Sequence, residues 1–139
     1  MNAASRTEGR RRALITGIAG FTGRYLAAEL DAAGYEVFGT VQAQDVGGAG
    51  HLACDLLDAD RVRAVVADVR PDVVAHLAAG SFVGHGDLRE VYGTNIAGTL
   101  NLLQALEGLA VPPSAVLLAS SANVYGNAVV DPITEDVPP

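Results

Sequence analysis

The 139-residue sequence predicts an α/β fold, a doubly wound parallel sheet of five strands in the order 3-2-1-4-5. Three observations lead there. Short apolar runs alternate with helical stretches along the whole chain, which demands crossover connections between parallel strands. The stretch from Ala13 to Leu30, ALITGIAGFTGRYLAAEL, reads as strand, glycine turn and helix. Gly17, Asp55, Ala78 and Ser121 all fall where predicted strands end, and sheets of this kind bind ligands at those carboxyl ends.

The first strand is the apolar run Ala13-Leu14-Ile15, broken by Thr16 and Gly17. Gly17 permits a tight turn, Gly20 leaves room for a pyrophosphate to approach the backbone, and Gly23 lets the helix lie close on the strand. The free N–H groups and positive end of that helix then face phosphate. The alternative is a glycine-rich turn that binds nothing. Ala33-Gly34 ends the helix, and Tyr35 to Val41 forms a second strand. A glycine-rich loop from Gln44 to Gly50 leads to a short third strand, His51 to Cys54. Asp58 is placed to cap a helix to about Val69, with Val62, Val65, Val66 and Val69 on one face. Asp72 to Leu77 is the fourth strand. Asp87 to Leu109 reads as one long helix with Val91, Asn95, Leu102, Leu103 and Leu106 inward, ended by Pro112-Pro113. Ala115 to Ala119 is continuously apolar, as a central parallel strand should be. Residues 1–12 are expected to be a disordered basic tail, 13–139 the dinucleotide-binding domain, and 127–139 irregular.

Composition narrows the function. Half the residues are hydrophobic, enough for a real core, yet no apolar run is long enough to span a membrane. A net charge of −7 argues against nucleic acid or an anionic membrane surface as partner. Cys54 is the only cysteine, which excludes a disulfide framework and fits a reducing cytoplasm. The histidines His51, His76 and His85 form no metal-spaced pair, and His76, inside an apolar strand, reads as a satisfied core residue. Arg10-Arg11-Arg12 brings a twin-arginine export signal to mind, but the apolar stretch behind it is short and interrupted by glycines. All nine basic residues are arginines.

Five pieces in order, TGIAGFTG from Thr16, CDLLD from Cys54, HLAAGSFVG from His76, TNIAGTLNLLQAL from Thr94 and SSANVYG from Ser120, resemble the extended short-chain dehydrogenase/reductase family of nucleotide-sugar epimerases, dehydratases and reductases. The likeness is closest to reductases of GDP-linked 4-keto-6-deoxymannose. It implies a Rossmann domain binding NADP or NAD and a nucleotide-sugar substrate. Gly17, Gly20, Phe21, Thr22 and Gly23 would hold the pyrophosphate, and Asp55 with the Leu56 backbone would meet the adenine, unless Asp55 merely caps a turn. Leu77, Ala78 and Ala79 would line the ribose side of the cofactor. Asn95 would brace the fourth and fifth strands. Ser121 would be the catalytic serine, with Ser81 and Phe82 beside it as substrate contacts; the plain alternative for Ser121 is a strand-end serine. A homodimer through the Asp87–Leu109 helix is also implied.

The chain departs from the family in one respect that bears on chemistry. The family uses a tyrosine with a lysine four residues later, the lysine lowering the phenol pKa so that the phenolate can shuttle a proton during hydride transfer. No lysine occurs here, so the sequence is expected to be the N-terminal portion of a longer enzyme, inactive alone; the alternative is a non-catalytic dinucleotide-binding module that acts as a sensor or partner subunit. Ser121-Ala122-Asn123 lacks the acid a dehydratase needs. At the end of the second strand, Thr40-Val41-Gln42 offers neither an acid for an NAD ribose nor an arginine for a 2′-phosphate. With Gln42 beside the adenosine ribose and Arg24 within possible reach, the reading leans slightly to NADP.

Overall fold

Leu14 and Ile15 are completely buried, on opposite faces of one strand. That is the mark of a central strand in a sheet covered on both sides. In the computed structural model, which describes residues 9–80, 88–126 and 130–138, this strand is β1, Arg12–Thr16. It pairs in parallel with β2 (Glu36–Val41) and with β4 (Val73–His76). β3 (His51–Ala53) extends the sheet beyond β2, and β5 (Ala115–Leu118) beyond β4, giving the order β3-β2-β1-β4-β5. The predicted topology is therefore the observed one.

The two faces are covered unequally. On one, α2 (Ala59–Val69) and α4 (Thr99–Glu107) pack together over Leu14 and Val74, contributing Val62, Val65, Val66, Val69, Leu102, Ala105 and Leu106. On the other, α1 (Phe21–Ala32) lays Leu26, Ala27 and Leu30 against Ile15, Val41 and Ala75. Each large aliphatic side chain so buried contributes roughly 1.5–3 kcal/mol. β5 sits at the edge rather than in the middle, and all four of its residues are exposed. Its apolar run suits a covered strand, yet Val116, Leu117 and Leu118 are 40 to 55% exposed.

Residues 10–12 are not a loose tail. The Arg10 guanidinium donates to the Asp31 carboxylate at 2.8 Å and to the carbonyls of Gly34 and Tyr35, fastening the chain to the α1–β2 turn. Arg12 opens β1; its N–H donates to the Asp72 carboxylate and its side chain to Glu36 and the Val69 carbonyl.

The predicted Asp87–Leu109 helix begins in the described residues at Leu88 and is divided. α3 spans Leu88–Tyr92, a wide π-helical segment spans Gly93–Gly98, and α4 follows. Glycines at both ends of the segment weaken the α preference there. The Thr99 hydroxyl donates back to the Asn95 carbonyl at 2.6 Å, which bends a helix. Leu103, expected inward, is 38% exposed, and Ala105 takes the buried position.

Candidate functional site

The turn after β1 is built from backbone constraints. Gly17 adopts φ +74°, and a Cβ there would meet the Ala78 Cα and N at 3.0 Å. The β1 turn and the loop after β4 therefore touch backbone to backbone, and only glycine satisfies both conditions. Gly23 is buried; a Cβ on it would overlap the Gly17 carbonyl oxygen and come within 2.8 Å of Ile18 Cα. It is a packing glycine, as expected. Gly20 differs. Its backbone is extended, and a Cβ would meet only the Gly17 carbonyl, at 3.1 Å. No side chain caps the N-terminus of α1 and no acid lies in its first turn. Its first N–H groups are thus left without helical partners at a positive helix end.

These elements open onto a cleft of about 1050 Å³ across the carboxyl ends of β1, β2, β3 and β4. That volume lies at the top of the usual range for ligand sites, about 300–1,000 Å³. Of the sequence-expected residues, Gly17, Gly20, Gln42, Asp55, Leu56, Ala78 and Ala79 line it. The others lie elsewhere. Phe21 is 74% exposed and makes an edge-to-face pair with Tyr25, 5.2 Å between centroids, outside the cleft lining. Thr22 is exposed in the same first turn. Leu77 packs under the sheet against the Ile15 cluster. Ser121 is the N-cap of a short 3₁₀ turn, Ala122–Tyr125, where its hydroxyl accepts from the Asn123 N–H at 3.2 Å. Ser81 and Phe82 lie outside the described residues. Arg24 lines a separate groove with Asp31, Glu36 and His51, so it is not a cleft residue.

Asn95 does not brace β4 against β5. Its side-chain amide clamps one residue, accepting from the Gly80 N–H at 2.7 Å and donating to the Gly80 carbonyl at 3.2 Å. Gly80 lines the cleft, so Asn95 fixes a wall of it from outside. Asp55 does cap a turn: its carboxylate accepts from the Leu57 N–H at 2.9 Å. One oxygen suffices for that, leaving the other for a ligand. Two residues the sequence reading passed over hold this loop. Arg61 donates to the Ala53 carbonyl and Asn101 to the Leu56 carbonyl, both at 2.8 Å.

Sequence reasoning also missed Asp45. It ends a 3₁₀ turn, Ala43–Asp45, immediately after β2, and it lines the cleft beside Gln42 and Gln44, whose amides bond to each other at 2.5 Å. The signal was available as an acid following the second strand, but it stands three residues past Gln42, and only the compact turn brings it back to the rim. Cys54 is buried at the cleft floor, where burial pushes its thiol pKa up; it is a packing residue. His76 is buried and fully bonded, to Thr16 through Nδ1 at 2.6 Å and to Thr99 through Nε2 at 2.8 Å. No cluster of metal-ligating side chains occurs among the described residues.

Known proteins are similar to this chain in sequence and fold. A GDP-6-deoxy-D-talose 4-dehydrogenase of Aggregatibacter actinomycetemcomitans is 32% identical over 127 residues, matching 91% of this chain and 40% of its own length. A crystal structure from Burkholderia cenocepacia J2315, provisionally assigned as an epimerase, superposes with a TM-score of 0.82 at 51% identity, over 94% of this chain and 45% of that one. A UDP-glucose 4-epimerase of Bifidobacterium longum, crystallised with NAD+ and UDP, superposes with a TM-score of 0.78 at 28% identity, over 91% of this chain and 42% of its own. The chain thus spans about two fifths of the length of the curated relative and slightly more of the two solved structures. The family profile described as the NAD dependent epimerase/dehydratase family matches residues 13–139, from β1 to the last residue, and the chain belongs to that family.

Proposed function

We propose that this chain is the cofactor-binding part of a nucleotide-sugar epimerase or reductase and that its cleft takes NAD. The observation that carries the reading is the glycine turn: Gly17 wedged against the Ala78 backbone, with an uncapped helix end beside it in a large cleft. Backbone N–H groups at such an end suit a pyrophosphate. NAD bound in the Bifidobacterium longum relative supports the same assignment. When bound, the nicotinamide supplies the hydride acceptor and donor for redox change at a sugar carbon. This chain's residues bind and orient: the α1 end takes the phosphates, Asp55 offers a carboxylate oxygen to the adenine end, and the Asn95-clamped loop shapes the cofactor wall.

NAD is preferred here to NADP. Asp45 and Asp55 both line the cleft, and among the described residues no arginine does. An acid near the end of the second strand suits a ribose 2′-OH and repels a 2′-phosphate. The slight sequence lean to NADP rested partly on Arg24, which faces the other groove.

Ser121 positions a sugar oxygen in this reading, and the chain alone does not turn over nucleotide sugars, because it has no lysine to depress a tyrosine pKa. The test is titration calorimetry of the chain with NAD and NADP, beside Gly20→Val. Binding of NAD at least tenfold tighter than NADP, lost in Gly20→Val, is the expected result. Equal affinity in wild type and Gly20→Val would overturn the site.

A further inference from the structure

The polar chain threaded through His76 has a direction that the heavy atoms alone settle. The Thr99 hydroxyl has one proton, and it is committed to the Asn95 carbonyl at 2.6 Å. Toward His76 Nε2, 2.8 Å away, Thr99 Oγ1 can only accept, so Nε2 carries a proton. In a neutral imidazole Nδ1 is then the acceptor, and the Thr16 hydroxyl donates to it at 2.6 Å. Thr16 Oγ1 in turn accepts the Ala78 N–H at 3.2 Å. Every proton in the run from the Ala78 N–H to the Asn95 carbonyl points the same way. Burial itself favours the neutral ring.

Both ends of this run are cleft elements. Thr16 immediately precedes Gly17, and Ala78 is the residue whose backbone Gly17 touches. At the other end, Thr99 and Asn95 hold the wide helical segment from which the Asn95 amide clamps Gly80. We infer that His76 is a positioning residue for the dinucleotide cleft: in its Nε2–H tautomer it ties the glycine turn to the Asn95 clamp, so that the two walls are set together. It touches no ligand and acts only through Thr16 and Thr99. The inference rests on the cofactor reading given above for its effect on affinity, while the tautomer and the clamp can be measured without cofactor.

Three measurements on the 139-residue chain test it. Nitrogen-15 spectra should show His76 neutral with the proton on Nε2. Thr99→Val, similar in shape but unable to accept from Nε2 or bond Asn95, should speed exchange of the Gly80 amide and weaken NAD binding about tenfold, equivalent to about 1.4 kcal/mol. Thr99→Ser should restore both. A purely structural role would lower the unfolding temperature and leave the affinity of the folded protein alone. An Nδ1–H tautomer, or a Thr99→Val protein that folds with Gly80 protection and NAD affinity unchanged, overturns the proposal. If Thr99→Val does not fold, the tautomer and a wild-type Gly80 amide that exchanges as fast as an open loop or as slowly as a clamped one still decide it. A wild type with the tautomer and the protected amide that binds no NAD overturns the cofactor reading instead.

Discussion

Gly20 and Gly23 stand three residues apart and are glycine for opposite reasons. At Gly23 the protein itself forbids a side chain, so Gly23→Ala is expected to cost about 1–3 kcal/mol in denaturant unfolding through overpacking against Ile18. At Gly20 the backbone is ordinary and the space nearly sufficient, so Gly20→Ala should unfold within about 0.5 kcal/mol of wild type while losing NAD affinity. A Gly20→Ala protein as unstable as Gly23→Ala would show the turn to be purely architectural. His76 makes a second residue-scale prediction. Its pKa is pushed below the ordinary 6.5 by burial. The unfolded chain therefore binds a proton that the folded one refuses, and stability is full above about pH 6.5 and falls as pH drops toward the folded value. The slope from this one group is at most about 1.4 kcal/mol per pH unit. Urea midpoints at pH 7.5, 6.5 and 5.5 should show the decline; identical midpoints would place no such proton on unfolding.

Strands were legible because a doubly covered strand must be apolar along its length, and Leu14-Ile15 or Val73-Val74-Ala75 leave no other reading. Helix α2 was legible for a related reason: four valines at helical spacing follow an aspartate whose side chain accepts the Arg61 N–H at 3.0 Å. Asp58→Ala should accordingly cost about 1 kcal/mol in the same unfolding assay. The break in the long helix was hidden. Its causes are local, the glycines at Gly93 and Gly98 and the Thr99 hydroxyl bonded back to the Asn95 carbonyl, but each of them also occurs in continuous helices. Beyond the wide turn Leu102 and Leu106 are buried as the spacing predicts; Leu103, about 100° around the helix from Leu102, lies at the flank of that face, and the small Ala105 fills it instead. Candidate site residues divided along the same line. Those on the turn backbone were readable from glycine spacing, whereas Asp45 and Asn101 reach the cleft or its loop only through the folded chain.

At the scale of the molecule, the two ends of the sheet are unlike. Beyond β2, the β3 strand is short; beyond β4, β5 leaves Val116, Leu117 and Leu118 from 40 to 55% exposed. Leu117 shares the register of Ala75, on the face where α1 covers β1 and β2. An apolar edge of this kind recruits other strands. Sedimentation velocity should show the chain associating as concentration rises, and Leu117→Lys should reduce it; a monomer at every concentration in both proteins would count against the edge as the cause. The opposite rim of the sheet carries a different lesson. The Arg12 N–H is held by the Asp72 carboxylate, 60 positions later, and the Arg11 guanidinium by the Ser114 hydroxyl, 103 later. Synthesis delivers β1 first, at about 5–20 residues per second, so Leu14 and Ile15 wait several seconds in water for β4 to arrive. The central strand of this five-stranded sheet is thus the one of its strands that waits longest on the ribosome. Nascent chains arrested before Asp72 should be cut readily by protease, and chains arrested well past Leu118 should resist.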